Sequence, residues 1–222
     1  MKSAKIKNIL LLVTHGFLLL STAGLLFLCI CYGAGAGQVG EDMRGWGCLK
    51  AFTILSNVFA AIVSGVILLD RIIKRRRDFD FLPRWISVLH YCAATSVGLT
   101  FLVVVFFLGP MFQFRGMGYF TMFSGNMFFF HLVNPLLCMA ALVLEEQPQL
   151  GGRENLLALI PTMAYSVVYL VMVVFLDRWS DFYNFTFGGH YALAPAVMLV
   201  MYLVTYLVAY ALRRVHNRFT RT

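Results

Sequence analysis

Stretches without a single Lys, Arg, Asp or Glu cover residues 8–40, 51–69, 85–114, 116–144, 155–176 and 182–212. A helix rises about 1.5 Å per residue, so about 20 residues cross the ~30 Å hydrocarbon layer of a bilayer. Each stretch is long enough to cross once and too short to cross twice. The pattern predicts an all-α fold, a six-transmembrane-helix bundle with spans over roughly 9–32, 50–72, 86–108, 121–144, 155–176 and 191–212. The intervening segments are short, so neighbouring spans are expected antiparallel within one membrane domain covering 1–222. Pro83, Pro110, Pro148 and Gly151-Gly152 are expected in the connections. No low-complexity tract or close internal repeat stands out.

Composition supports an integral membrane protein, because 60% hydrophobic residues leave too little polar material to coat a water-soluble globule. The net charge of +8 does not point to nucleic acid, since the basic residues gather at span ends rather than on one face. Of the 18 Lys and Arg, all but Arg44, Lys50, Arg115 and Arg178 fall on the side of the two termini. By the positive-inside rule both termini are expected to be cytoplasmic, in a plasma membrane or a bacterial inner membrane. The basic start and the apolar run from Ile9 to Tyr32 resemble a secretory signal, but the run far exceeds a signal core of about 7–15 residues and reads as a retained span. Tyr32, Trp46, Trp85, Tyr119, Trp179, Tyr183 and Tyr191 gather near span ends, as interfacial aromatic belts do. Cys29, Cys31, Cys48, Cys92 and Cys138 have no metal-ligand spacing and read as free, buried thiols, although Cys29 or Cys31 could meet Cys48. The triplet Asn184-Phe185-Thr186 matches a glycosylation acceptor close to the membrane.

Polar groups within the hydrocarbon carry the candidate chemistry, because each is costly there without a partner. His131 lies mid-way along the fourth span, with Ser124, Asn134 and Cys138 on the same helical face. Pro135 removes one backbone donor and is expected to free the carbonyl of His131. In the second span Thr53, Asn57, Ala60 and Ser64 form a small and polar stripe, which suits close helix packing as well as a site. His15 and His90 read as hydrogen-bonded packing residues.

Phe52-Thr53-Ile54-Leu55-Ser56-Asn57 in the second span, together with a fourth-span His followed by Pro and ending in Glu, resembles the androgen-induced membrane-protein family and its bacterial six-span relatives. Human members of that family hydrolyse fatty acid esters of hydroxy fatty acids with an intramembrane Thr nucleophile and a His. The resemblance implies a lipid-ester hydrolase in which Thr53 is the nucleophile and His131 its base. It implies an acyl-ester substrate drawn from membrane lipid, with no metal or cofactor. A Thr hydroxyl needs such a base, and an acyl-threonine would then be released by water. Asn57, Asn126 and Asn134 are the candidate donors to the carbonyl oxygen, with Ser124 nearby. No carboxylate is available to orient His131, so a carbonyl or amide must do so. With a fourth span beginning at Thr121, His131 lies about 15 Å below its start, against about 5 Å for Thr53, a mismatch that a start near Gly125 would close. The cavity is expected between the second, fourth and neighbouring spans, walled by Phe128, Phe129 and Phe130.

Two other classes fit the same residues. A non-catalytic lipid or small-molecule carrier would use the polar face only to line a cavity. A b-type haem protein would draw its axial ligands from His15, His90 and His131.

Overall fold

The computed structural model describes residues 2–32, 45–74 and 82–220, with side chains from Lys5 onward. Arg44, Arg75 to Arg77 and Arg221, which contribute to the charge asymmetry, lie outside the described residues. Within them every regular element is helical. Six helices are long and apolar enough to cross a membrane: α1 (Lys5–Tyr32), α2 (Phe52–Lys74), α3 (Arg84–Phe114), α4 (Asn126–Leu144), α5 (Gly152–Phe175) and α6 (Tyr191–Phe219). The protein is therefore an all-α, multi-pass bundle.

The start of α1 and the end of α6 sit at one end of the bundle, here called the terminal end. Lys7 of α1 pairs with Glu146 after α4 at 3.1 Å, and Asn217 of α6 exchanges two hydrogen bonds with the backbone of Leu150 at 2.8 and 3.0 Å. The starts of α2, α4 and α6 lie at the opposite, far end.

α3 is the central column, with every residue from His90 to Thr100 buried. A helix enclosed all round has no polar face, and Ala93, Ala94, Ser96 and Gly98 keep its surface thin enough for close approach by its neighbours. A Cβ on Gly98 would stand 3.0 Å from both Met139 of α4 and Val208 of α6. Large apolar side chains such as Leu20, Phe106 and Leu199 remain exposed on the outer surface, where a bilayer would cover them.

Two spans depart from expectation for one shared reason. α3 runs through Pro110 to Phe114 instead of ending before it. Its segment Val104–Leu108 is wound as a π-turn, in which Gly109 N–H donates to Val104 O. In that register Val105 O would be served by residue 110, and Pro has no N–H to give. The hydroxyl of Tyr119 donates to Val105 O instead, at 3.0 Å.

In α4 the segment Phe129–Val133 is likewise a π-turn, with Asn134 N–H donating to Phe129 O. Pro135 then fails Phe130 O, and Asn57 Nδ2 donates to it at 3.0 Å. The carbonyl served from another helix is therefore that of Phe130 rather than His131, because the π-turn displaces the deficit by one residue. α4 also begins at Asn126, after Gly125 at a φ of 56°, so Thr121 lies in a separate tight turn, Tyr119–Phe123. This brings His131 to about 7.5 Å below the start of its helix, against about 1.5 Å for Thr53, the second residue of α2, so the mismatch shrinks to about one helical turn.

Candidate functional site

A cavity of about 650 Å³ lies between α3, α5 and α6 at the far end. That differs from the expected position between the second and fourth spans, where Asn57 ties the start of α2 to α4. The amide of Asn57 donates to Thr53 O at 2.7 Å as well as to Phe130 O. The cavity walls are apolar, drawn from residues such as Val103, Phe107, Val197 and Val204. At one end they give way to polar groups of Thr53, Thr100, Tyr165, Tyr183 and Asn184.

Thr53 is the second residue of α2, held by its own turn. Its carbonyl accepts from Ser56 Oγ at 3.0 Å as well as from Asn57, and Ser56 is tied in turn to Thr100 of α3 at 3.1 Å. With the carbonyl so engaged, the side chain is left to line the cavity. The hydroxyl of Tyr183 accepts from Phe52 N–H at 2.9 Å and lies against the side chains of Thr53 and Tyr165. The neighbour of the Thr53 hydroxyl is thus a phenol.

His131 is buried, and its Nδ1 is bonded to Met122 O at 2.5 Å. A carbonyl only accepts, so a neutral His131 carries its proton on Nδ1 and leaves Nε2 as the unprotonated nitrogen. A backbone carbonyl thus orients this imidazole, as the lack of a nearby carboxylate required. His131 packs edge-on against Phe123, with ring centroids 6.4 Å apart, and is not among the cavity-lining residues.

The other sequence candidates are engaged elsewhere. Asn134 accepts from Ser21 Oγ at 3.3 Å and donates to Thr22 Oγ1 at 3.2 Å, joining α4 to α1. Asn126 Nδ2 lies 3.9 Å from Cys29 Sγ, and Ser124 Oγ donates to Thr121 O at 2.8 Å. None of Asn57, Asn126, Asn134 and Ser124 lines the cavity, nor do Phe128, Phe129 and Phe130.

The loop between α5 and α6 supplies what the sequence analysis missed. Asp181 accepts from Tyr169 Oη at 2.8 Å, Phe185 N at 2.9 Å, Thr186 N at 2.7 Å and Thr186 Oγ1 at 2.6 Å. Burial alone would raise its carboxyl, but these donors outweigh it and hold Asp181 below the ordinary carboxylate value. Asn184 and Phe187 take left-handed backbone at φ 55° and 48°, which folds both onto the cavity. With Thr186 tied to Asp181, the glycosylation triplet is part of this folded loop. One available signal was the density of aromatic and hydroxyl residues around a lone Asp in Trp179–Thr186, more than an interfacial belt needs. Phe52-Thr53-x-x-Ser56 and Phe120-Thr121-x-x-Ser124 share one hydrogen bond, each Ser hydroxyl donating to the Thr carbonyl three residues back, the first in the opening turn of an α-helix and the second at the end of a 3-10 turn.

At the terminal end, His15 bonds Ser64 through Nδ1 at 3.1 Å and Glu145 through Nε2 at 3.3 Å. Glu145, just beyond α4, is also paired with Arg71, and its side chain is only 1% exposed. His90 meets the His15 ring edge to face at 5.2 Å, and neither of its nitrogens has a hydrogen-bond partner. His15 was expected to be hydrogen-bonded and is; His90 is not. With the two rings in contact and both His15 nitrogens engaged, the pair has no space for an iron between them. All five cysteines are free, four of them buried and Cys31 exposed. Among the described residues no group of three or more His, Cys, Asp or Glu is placed to hold a metal ion.

Compared with known protein families, with curated proteins and with solved structures, the chain matches none.

Proposed function

We propose that this protein is an intramembrane hydrolase of acyl-lipid esters, with Thr53 as nucleophile, His131 as base and both termini in the cytoplasm. The observation that carries the reading is the placement of Thr53 at the polar end of the apolar cavity of about 650 Å³. In such a site the acyl chain lies between α3, α5 and α6, and the ester carbonyl stands at Thr53. The Thr53 oxygen attacks the carbonyl carbon while its proton passes to His131 Nε2, the nitrogen that the Met122 carbonyl leaves free. The proposal requires a side-chain rotation or an intervening water to carry this proton from α2 to α4, the two helices that Asn57 bridges. The leaving alkoxide takes the proton back, and water then cleaves the acyl-threonine.

A second reading, a lipid carrier without chemistry, is favoured by the absence of a direct Thr53 to His131 hydrogen bond among the described residues. One experiment separates the two: the purified chain is treated with a fluorophosphonate probe, mapped by peptide sequencing, and assayed for ester turnover in micelles. The hydrolase reading expects labelling at Thr53, loss of turnover in Thr53→Ala and His131→Ala, and a double mutant no worse than either single variant. Turnover unchanged in Thr53→Ala overturns it.

A further inference from the structure

An ester hydrolase must stabilise the negative charge that gathers on the carbonyl oxygen, and the Asn side chains expected to do so are all engaged away from the cavity. Tyr183 stands in their place. Its hydroxyl accepts from the N–H of Phe52, the residue preceding Thr53, at 2.9 Å, and both tyrosine and threonine line the same end of the cavity. A phenol that accepts through a lone pair keeps its own proton for donation.

We infer that Tyr183 is a further catalytic residue of the hydrolysis proposed above, and the inference rests on that reading: its O–H donates to the ester carbonyl oxygen as Thr53 attacks. In that step the Thr53 oxygen to carbon bond forms and the carbonyl π pair moves onto oxygen. The threonine proton goes to His131, and the Tyr183 hydrogen bond shortens onto the new oxyanion without its proton being transferred. Collapse returns the pair to the carbonyl and breaks the bond to the alkoxy group, which leaves with the proton from His131. Tyr183 is unchanged at the end.

The position of this phenol is built rather than incidental. Tyr183 N–H donates to Tyr169 Oη at 3.1 Å, and that hydroxyl donates to Asp181 at 2.8 Å. The ring stacks on Phe185 with centroids 5.3 Å apart and is flanked by Phe182 at 4.7 Å. Asp181 therefore sets the loop, the loop sets the ring, and the ring sets the hydroxyl against the start of α2. That start adds a partial positive charge of its own, the positive end of the dipole of a 23-residue helix whose first N–H, that of Phe52, is held by the Tyr183 hydroxyl. Burial also pushes the phenol above its ordinary value, which keeps it a neutral donor.

The test uses the full chain in detergent with a long-chain 4-nitrophenyl ester, comparing wild type with Thr53→Ala and Tyr183→Phe. Loss of one oxyanion donor lowers kcat by roughly 100-fold to 1000-fold, with KM little changed. Tyr183→Phe is expected to show that split with its thermal midpoint retained. A second variant carries 3-fluorotyrosine at position 183, which keeps the shape and makes the phenol a stronger donor that ionises at lower pH. Its activity should fall away at a lower alkaline pH than that of wild type. If Thr53→Ala abolishes turnover while Tyr183→Phe keeps wild-type kcat, or if fluorotyrosine leaves the alkaline limb in place, the inference about Tyr183 is wrong and the hydrolase reading stands. If Thr53→Ala itself retains turnover, the hydrolase reading fails first.

Discussion

The two ends of this bundle handle buried polarity in opposite ways. At the terminal end ionisable side chains from α1, α2 and α4 are pulled together, with Glu145 between Arg71 and His15 and space left for no more than about one water beside them. At the far end neutral hydroxyls flank an apolar cavity of about 650 Å³, and the half-buried carboxylate of Asp181 is turned into its own loop. Paired charges in a low dielectric lock helices together, because separating them exposes an uncompensated ion. Neutral donors and acceptors tolerate an open space beside them and a change of partner. In the function proposed above, the locked end is the rigid one and the open end admits the ligand.

The largest effect is expected from breaking the locked end. Glu145→Ala removes the buried carboxylate that joins Arg71 to His15 and should cost about 3–5 kcal/mol, read as a lowered unfolding midpoint in detergent. A loss below about 1 kcal/mol would mean that the ion pair is solvated and the contrast between the ends is false. At the junction between cavity and turn, Gly109→Ala places a Cβ 2.5 Å from the Tyr119 ring and should cost about 1–3 kcal/mol by overpacking. It should also release the Tyr119 bond to Val105.

A smaller and more local effect is expected at Asp181. Asp181→Ala orphans three donors of the loop and the Tyr169 hydroxyl of α5, each a bond worth about 1–2 kcal/mol, but the loss should appear as faster hydrogen exchange in 177–190 with little change in the global midpoint. The sign with pH follows from the depressed carboxyl. The contribution is complete above the unfolded value of about 4 and is lost as pH falls through the lower folded value. Loop protection should therefore be flat from neutral pH down to mild acid and fall only in strong acid. A decline near pH 6 would contradict it.

Filling the open end should barely touch stability. Met201→Trp occupies part of the cavity, so bound lipid seen by native mass spectrometry should fall by about tenfold, equivalent to about 1.4 kcal/mol of binding. Unfolding should stay within about 1 kcal/mol of wild type. The smallest change is in thiol reactivity: exposed Cys31 should react with maleimide in the folded protein while buried Cys29 and Cys48 react only after unfolding.

Much of the helix pattern was legible because charge is excluded from hydrocarbon residue by residue. That exclusion leaves a local trace, and the expected spans agree with the observed ones to within a few residues at most ends. The misses share a cause. Pro110 reads locally as a terminator, yet α3 passes through it because a tyrosine nine residues later repairs the missing hydrogen bond. Thr121 reads as the start of a span, yet Gly125 restarts the chain in a backbone that favours glycine. Thr53 was legible as a candidate because it stands in a recognisable polar pattern, and the structure places it on a cavity. The wall around it was not legible.

The sequence by itself determined that this chain is an all-helical, multi-pass membrane protein, because hydrophobic length is a property of consecutive residues. It also marked Thr53 and His131 as polar groups needing an explanation, since their cost in hydrocarbon depends on residue type alone. Only the tertiary structure decided which helix faces meet. It gave Asn57 to the carbonyls of Thr53 and Phe130, Asn134 to α1, and Tyr183 to the start of α2. It set the cavity between α3, α5 and α6, and it turned Glu145 inward onto His15. These outcomes depend on contacts between residues from about 50 to 130 positions apart, and side-chain partners at that range follow from packing geometry rather than from spacing along the chain.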